Sequence, residues 1–156
     1  MRVLWYGILL AMLSCNGQKK AANQAEANAK ALTAHGLELL VQDDYSGTDV
    51  PESRVISDMK TLKGFFSRVN RTRKPGLPVP DVDFTKEMLL LVCSGERHDG
   101  LSPEIVISRS TDTELVLATR HLSKGNVKQT GATTTPFSLY TMPLTERAVQ
   151  FDSIKR

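Results

Sequence analysis

The chain has 156 residues, 24% charged, 40% apolar and 6% aromatic, a length that suits one domain. This composition excludes a disordered polyampholyte, a collagen-like chain and a many-span membrane protein. Twenty Lys and Arg stand against seventeen Asp and Glu, a net charge of +3; that surplus gives no footprint for a nucleic-acid binder, and two cysteines cannot build the disulfide framework of a small secreted domain.

Residues 1–15 read as a targeting segment. Arg2 is the only charge before Lys19, and the apolar run Val3–Leu13 is too short to cross a hydrocarbon core ~30 Å thick. A basic start, a short apolar stretch and a small residue before a cut point describe a secretory signal. Met12-Leu13-Ser14-Cys15 also resembles a bacterial lipobox. In that reading Ser14 admits the signal peptidase, and Cys15 takes the lipid on its thiol and becomes the new N-terminus. The alternative is an ordinary signal or a frayed anchor with a chance cysteine. Acyl chains on Cys15 would hold the protein on a membrane, each buried methylene contributing ~0.8 kcal/mol. Asn16 follows the cysteine in place of Asp, which is compatible with sorting to the outer membrane. The expected location is the bacterial cell envelope, lipid-anchored, as an outer-membrane or periplasm-facing protein.

Residues 16–36 differ in texture: seven Ala with Gln, Asn and Lys between them. Their propensity is helical, but no apolar stripe runs along them. A flexible or helical tether is expected, lifting a domain at 37–156 off the bilayer.

From Leu37 the chain looks globular. Leu37–Val41 reads as a strand and Asp43-Asp44-Tyr45-Ser46-Gly47 as a turn. Val55-Ile56 extends briefly. Ser57 is the expected N-cap of a helix, with Asp58 suiting its positive end. Leu62, Phe65, Phe66 and Val69 fall at i, i+3, i+4 and i+7, one apolar face that should end near Asn70. Arg68, Arg71, Arg73 and Lys74 cluster at its C-terminal end. Capping and solvation explain them, and a grip on phosphate or an acidic partner is the alternative. Met88–Cys93 is apolar at every position, as in a central buried strand. Alternation at 104–109 and 114–120 across the polar link Ser110–Thr113 predicts a hairpin. Residues 122–135 form a long polar loop, 137–142 another strand, and Val149-Gln150-Phe151 the last. The fold class expected is α+β: a mostly antiparallel sheet or sandwich of about five to seven strands, with one covering helix near 58–70.

Assembled chemistry is hard to find. Cys93 has no CxxC partner and lies in the most apolar strand, so an inert buried thiol is expected over a nucleophile. Ser94-Gly95 lacks the flanks of a GxSxG elbow. His98 and His121 have no ligands of matching type at useful spacing, and Asp81 and Asp83 face no second acidic set. The reading is that of a protein other than an enzyme, without metal or cofactor.

Several stretches together carry a resemblance. They are Tyr45-Ser46-Gly47; Val55-Ile56 leading to Leu62 and Phe65-Phe66; Pro80-Asp81-Val82-Asp83-Phe84-Thr85-Lys86-Glu87-Met88; Gly95-Glu96-Arg97 where the core strand ends; Thr135-Pro136-Phe137; and Met142-Pro143. In this order they resemble the C-terminal domain of the protease-complex subunit PrcB, over Leu40 to Phe151. After Gly-Glu-Arg the family usually continues with a Pro-Thr-Gly-Gly-Tyr-like loop, where this chain has His98-Asp99-Gly100-Leu101-Ser102. The resemblance implies a lipoprotein-borne, non-catalytic module that binds or stabilises a secreted or surface protease. An alternative is a loop-based peptidase inhibitor on a β-sandwich. The expected partners are the membrane, through a lipid on Cys15, and a protein, with neither nucleic acid nor a small-molecule cofactor. Contact is expected on the loops at 95–102 and 122–135, through Gly95, Glu96, Arg97, His98, Asp99 and Gly100.

Overall fold

A computed structural model describes residues 16–121 and 132–152. Cys15 with the rest of the first fifteen residues, and residues 122–131 of the expected contact loop, lie outside them. Among the described residues the chain forms α1 (Asn16–Ala34), β1 (Glu38–Asp43), β2 (Glu52–Ile56), α2 (Met59–Val69), a 3-10 turn at Asn70–Thr72, β3 (Glu87–Cys93), β4 (Pro103–Ser110), β5 (Glu114–His121), β6 (Phe137–Pro143) and β7 (Ala148–Phe151). None of the described helices is long and apolar enough to cross a membrane.

The strands make two sheets. One has the order β1-β6-β3-β2 and the other β4-β5-β7. All pairings are antiparallel except β5 with β7, which run parallel. The α+β class is as expected, and the alternation at 104–109 and 114–120 does form a hairpin. Its turn is closed by Thr111, whose N–H donates to the Glu114 carbonyl at 2.8 Å while its Oγ1 accepts from the Glu114 N–H at 3.0 Å.

The stacking order is helix, sheet, sheet, and it explains why β3 is apolar throughout. Alternate side chains of a strand face opposite sides. Leu89, Leu91 and Cys93 point to α2, joining Leu62, Phe65, Phe66 and Val69 from its inner face and Phe137 and Leu139 from β6. Met88, Leu90 and Val92 point the other way, into a second core with Ile105, Leu115 and Leu117 of the smaller sheet and Tyr140 and Met142 of β6. Phe65 meets Phe66 and Phe137 edge-to-face, at 5.5 and 5.0 Å between ring centroids.

Three local expectations are corrected. The N-cap of α2 is Asp58, not Ser57: its Oδ1 accepts from the Thr61 N–H at 2.8 Å and its Oδ2 from the Thr61 hydroxyl at 2.6 Å. A carboxylate does this better than a hydroxyl, because it also meets the positive helix end. Asp43 ends β1 and also opens the expected turn, its Oδ1 accepting from the Tyr45 N–H at 3.0 Å. There Asp43 holds Arg73, with N–O distances of 2.5 and 3.1 Å. Arg68 likewise pairs with Glu52 at 2.8 Å, donates to the Ser46 carbonyl at 3.2 Å and lies over the Phe65 ring. Two of the four clustered cations are therefore tied into the fold.

Residues 16–36 are helical, one of the two forms expected, and the last correction concerns only where that helix ends. Helix α1 ends in a Schellman arrangement: the Leu37 N–H reaches the Leu32 carbonyl at 2.9 Å, and the Gly36 N–H reaches that of Thr33 at 2.9 Å. Gly36 has the positive φ, +69°, that this ending requires. The motif brings Leu32 and Leu37 together, and both are buried in the core between the sheets. Asn28 adds a hydrogen bond from Nδ2 to the Ile105 carbonyl, 3.1 Å. The end of the expected tether is thus built into the domain, and a second helix covers part of it.

Candidate functional site

The candidate site is the turn that leaves β3. Ser94 continues the strand, its N–H donating to the Pro136 carbonyl at 2.9 Å. The chain then turns sharply at Gly95, which has φ +72°. A Cβ there would stand 2.7 Å from both the Asp49 carbonyl oxygen and Pro51 Cδ, so both the conformation and the space demand glycine.

Beyond Gly95 the loop is fastened on two sides. The Glu96 N–H donates to the Asp49 carbonyl at 3.0 Å, and Arg97 exchanges two backbone hydrogen bonds with Thr134, both 2.8 Å. This pairing ties the 95–100 turn to the described end of the 122–135 loop. The Arg97 guanidinium grips Asp99, with Nε 2.8 Å from Oδ1 and the terminal nitrogen on Oδ2. The Leu101 N–H also donates to Asp99 Oδ1, at 3.1 Å. The charge-assisted bond to Arg97 is the main reason that the Asp99 carboxyl is held down to about 2. Glu96 and His98 are exposed. His98 Nε2 lies 3.6 Å from Glu96, and its Nδ1 lies 3.3 Å from the Thr133 hydroxyl. Gly100 is exposed at the loop tip.

Of the six loop residues expected at a contact surface, the structure therefore gathers all in one rigid turn but divides their work. Glu96, His98 and Gly100 face solvent, Gly95 is buried, and Arg97 and Asp99 spend their charges on each other. Tyr45-Ser46-Gly47 serves the scaffold: Ser46 is fully buried, and its N–H donates to the Thr135 carbonyl at 2.7 Å.

Sequence reasoning missed one relation. His121, at the end of β5, lies with Nε2 2.9 Å from the Ser94 hydroxyl. Burial first, and the Arg97 charge second, push the His121 pKa below its usual 6.5, with Asp99 opposing them. A neutral imidazole against a serine hydroxyl is the first link of a nucleophile–base pair. Asp99, the carboxylate whose charge His121 feels, accepts from Arg97 on both oxygens and from Leu101 on one, and among the described residues no hydrogen bond to His121 Nδ1 completes a triad. What the Ser94–His121 hydrogen bond does is join the two sheets at the base of the loop. The residues are far apart in sequence and lie on strands of different sheets, so no spacing rule could have paired them. Arg97-x-Asp99 within a Gly-flanked turn was a usable local signal.

Cys93 is buried against α2, and its thiol is pushed up to about 12, chiefly by burial. Such a thiol stays protonated and unreactive. Among the described residues no three His, Cys, Asp or Glu side chains gather as a metal site. No family model matches the chain, and neither does any curated protein or solved structure.

Proposed function

We propose that this chain is a lipid-anchored protein of the bacterial envelope whose domain is a non-catalytic interaction module, one that binds or stabilises a secreted or surface protease. The observation that carries this reading is the fastened turn at 95–100. Backbone bonds to Asp49 and Thr134 and the Arg97–Asp99 pair fix its shape in advance, so little conformational freedom is lost when a partner docks. Glu96 and His98 stand outward on it as exposed polar contacts. The anchor reading rests on the lipobox-like Met12-Leu13-Ser14-Cys15.

The test combines two measurements on the native protein. Mass spectrometry of its N-terminus should find acylated Cys15; an unprocessed Met1 would remove the anchor. Detergent-solubilised protein should co-purify with a protease, and a Glu96→Lys, His98→Glu double substitution should release it. Saturable inhibition of that protease by the purified protein would favour the inhibitor reading instead. Retention of the protease by the double variant would remove the 95–100 turn from the contact.

A further inference from the structure

We propose that the outer edge of β1 is a strand-addition site for an extended segment of a partner protein, one carrying apolar side chains at alternate positions and a basic residue among them. The class of partner rests on the interaction-module reading; the surface is a different one.

Three observations converge on this edge. First, β1 is a terminal strand, bonded only to β6. In an antiparallel ladder the alternate amides and carbonyls of such a strand point outward, where another chain can use them. Second, this edge carries two adjacent exposed leucines. Leu39 is 50% exposed and Leu40 40%. Leu40 is the extra residue of a bulge, between Leu39 opposite Tyr140 and Val41 opposite Leu139. Third, a groove of about 310 Å³ runs between β1 and α1, with Leu32, Leu37, Leu39 and Tyr140 in its lining. The smaller sheet has no strand paired to β1, and α1 packs on β4. The side chains of an added strand alternate between two faces. Those on one face would enter the groove, so the backbone would supply affinity and the groove selectivity, the division of labour seen in strand addition generally.

The charge of the groove selects the occupant. The carboxylates at its border are Glu38 and Glu104. Glu104 shares its charge with Arg120 at 3.3 Å. Glu38 is exposed and has no ion-pair partner among the described residues. A Lys or Arg on the incoming strand satisfies it, whereas an acidic strand is repelled.

Hydrogen exchange on the full chain tests this, with a short synthetic peptide of alternating valine and threonine around one lysine as the probe. The outward-pointing amides of residues 38–42, those not bonded to β6, should gain protection when the peptide is added. Leu39→Glu and Glu38→Lys should each weaken binding by about tenfold, with the urea midpoint unchanged. A peptide methylated at alternate backbone nitrogens should not bind, because it cannot complete the ladder. Three results overturn the proposal: no gain of protection at β1; equal binding of the methylated peptide; or β1 amides already protected in a concentration-dependent dimer, which would give the edge to a second copy. The Glu96→Lys, His98→Glu variant should bind the peptide normally. Peptide binding with no dependence of any protease on the 95–100 turn would therefore remove the earlier reading alone, and the converse would remove only this one.

Discussion

Replacing Gly95 by alanine imposes two costs at one position. The left-handed backbone alone costs an L residue about 1–2 kcal/mol, and the new Cβ would press on the Asp49 carbonyl oxygen and Pro51 from 2.7 Å. Gly95→Ala should therefore lower stability by about 2 kcal/mol or more, read from urea unfolding, and loosen the turn that Arg97 and Thr134 fasten. His121 makes a second prediction, on pH. Its folded-state pKa lies below 6.5 because burial disfavours the charged ring. Between that lowered value and 6.5 the unfolded chain takes up a proton that the folded one refuses, so stability falls as pH drops through this window. The unfolding free energy should decline below about pH 6.5, and His121→Gln should flatten the decline. Neither residue announced its role equally. Gly95 was legible as part of a motif. The Ser94–His121 bond depends on which strands of two separate sheets meet at one end, and side-chain type does not encode that.

At the scale of elements, the apolar pattern was the readable part. The period of Leu62, Phe65, Phe66 and Val69 defined α2, and the unbroken run in β3 defined a strand between two cores, because burial on each face leaves its own signature. Caps were less readable, since Ser57 and Asp58 are both good capping types. The structure decides between them, and the decision is measurable. Asp58→Ala should destabilise the protein by about 1 kcal/mol, whereas Ser57→Ala, at an exposed position outside the cap, should change it by less than about 0.5 kcal/mol. The parallel pairing of β5 with β7 was not readable, because short tight links favour antiparallel neighbours and only the tertiary path of the chain reveals the exception.

For the molecule as a whole, the Ala-rich stretch proved the most misleading. Leu32 is its one large apolar side chain, so it reads as a spacer. Yet the single leucine near its end, followed by a Gly-Leu pair, is a helix-ending signal that inserts Leu32 and Leu37 between the sheets. Leu32→Ala should accordingly cost about 2 kcal/mol or more in thermal or urea unfolding, an effect that a mere spacer would not show. The element order and the layered class followed from the pattern of strands and helix. The 95–100 loop was picked out by its residues, but neither its fastening to Asp49 and Thr134 nor the free edge of β1 was legible, because both depend on which segments the fold brings together and which it leaves uncovered.

The middle sheet belongs to both interiors at once. β3 and β6 send alternate side chains to opposite sides, so lifting away either neighbour wets one flank of strands that the other neighbour still grips. Neither half has a partial escape: a disturbance that pries at the helix is resisted by the small sheet through the same backbone. The layered domain should therefore unfold in one cooperative step, with neither core melting ahead of the other.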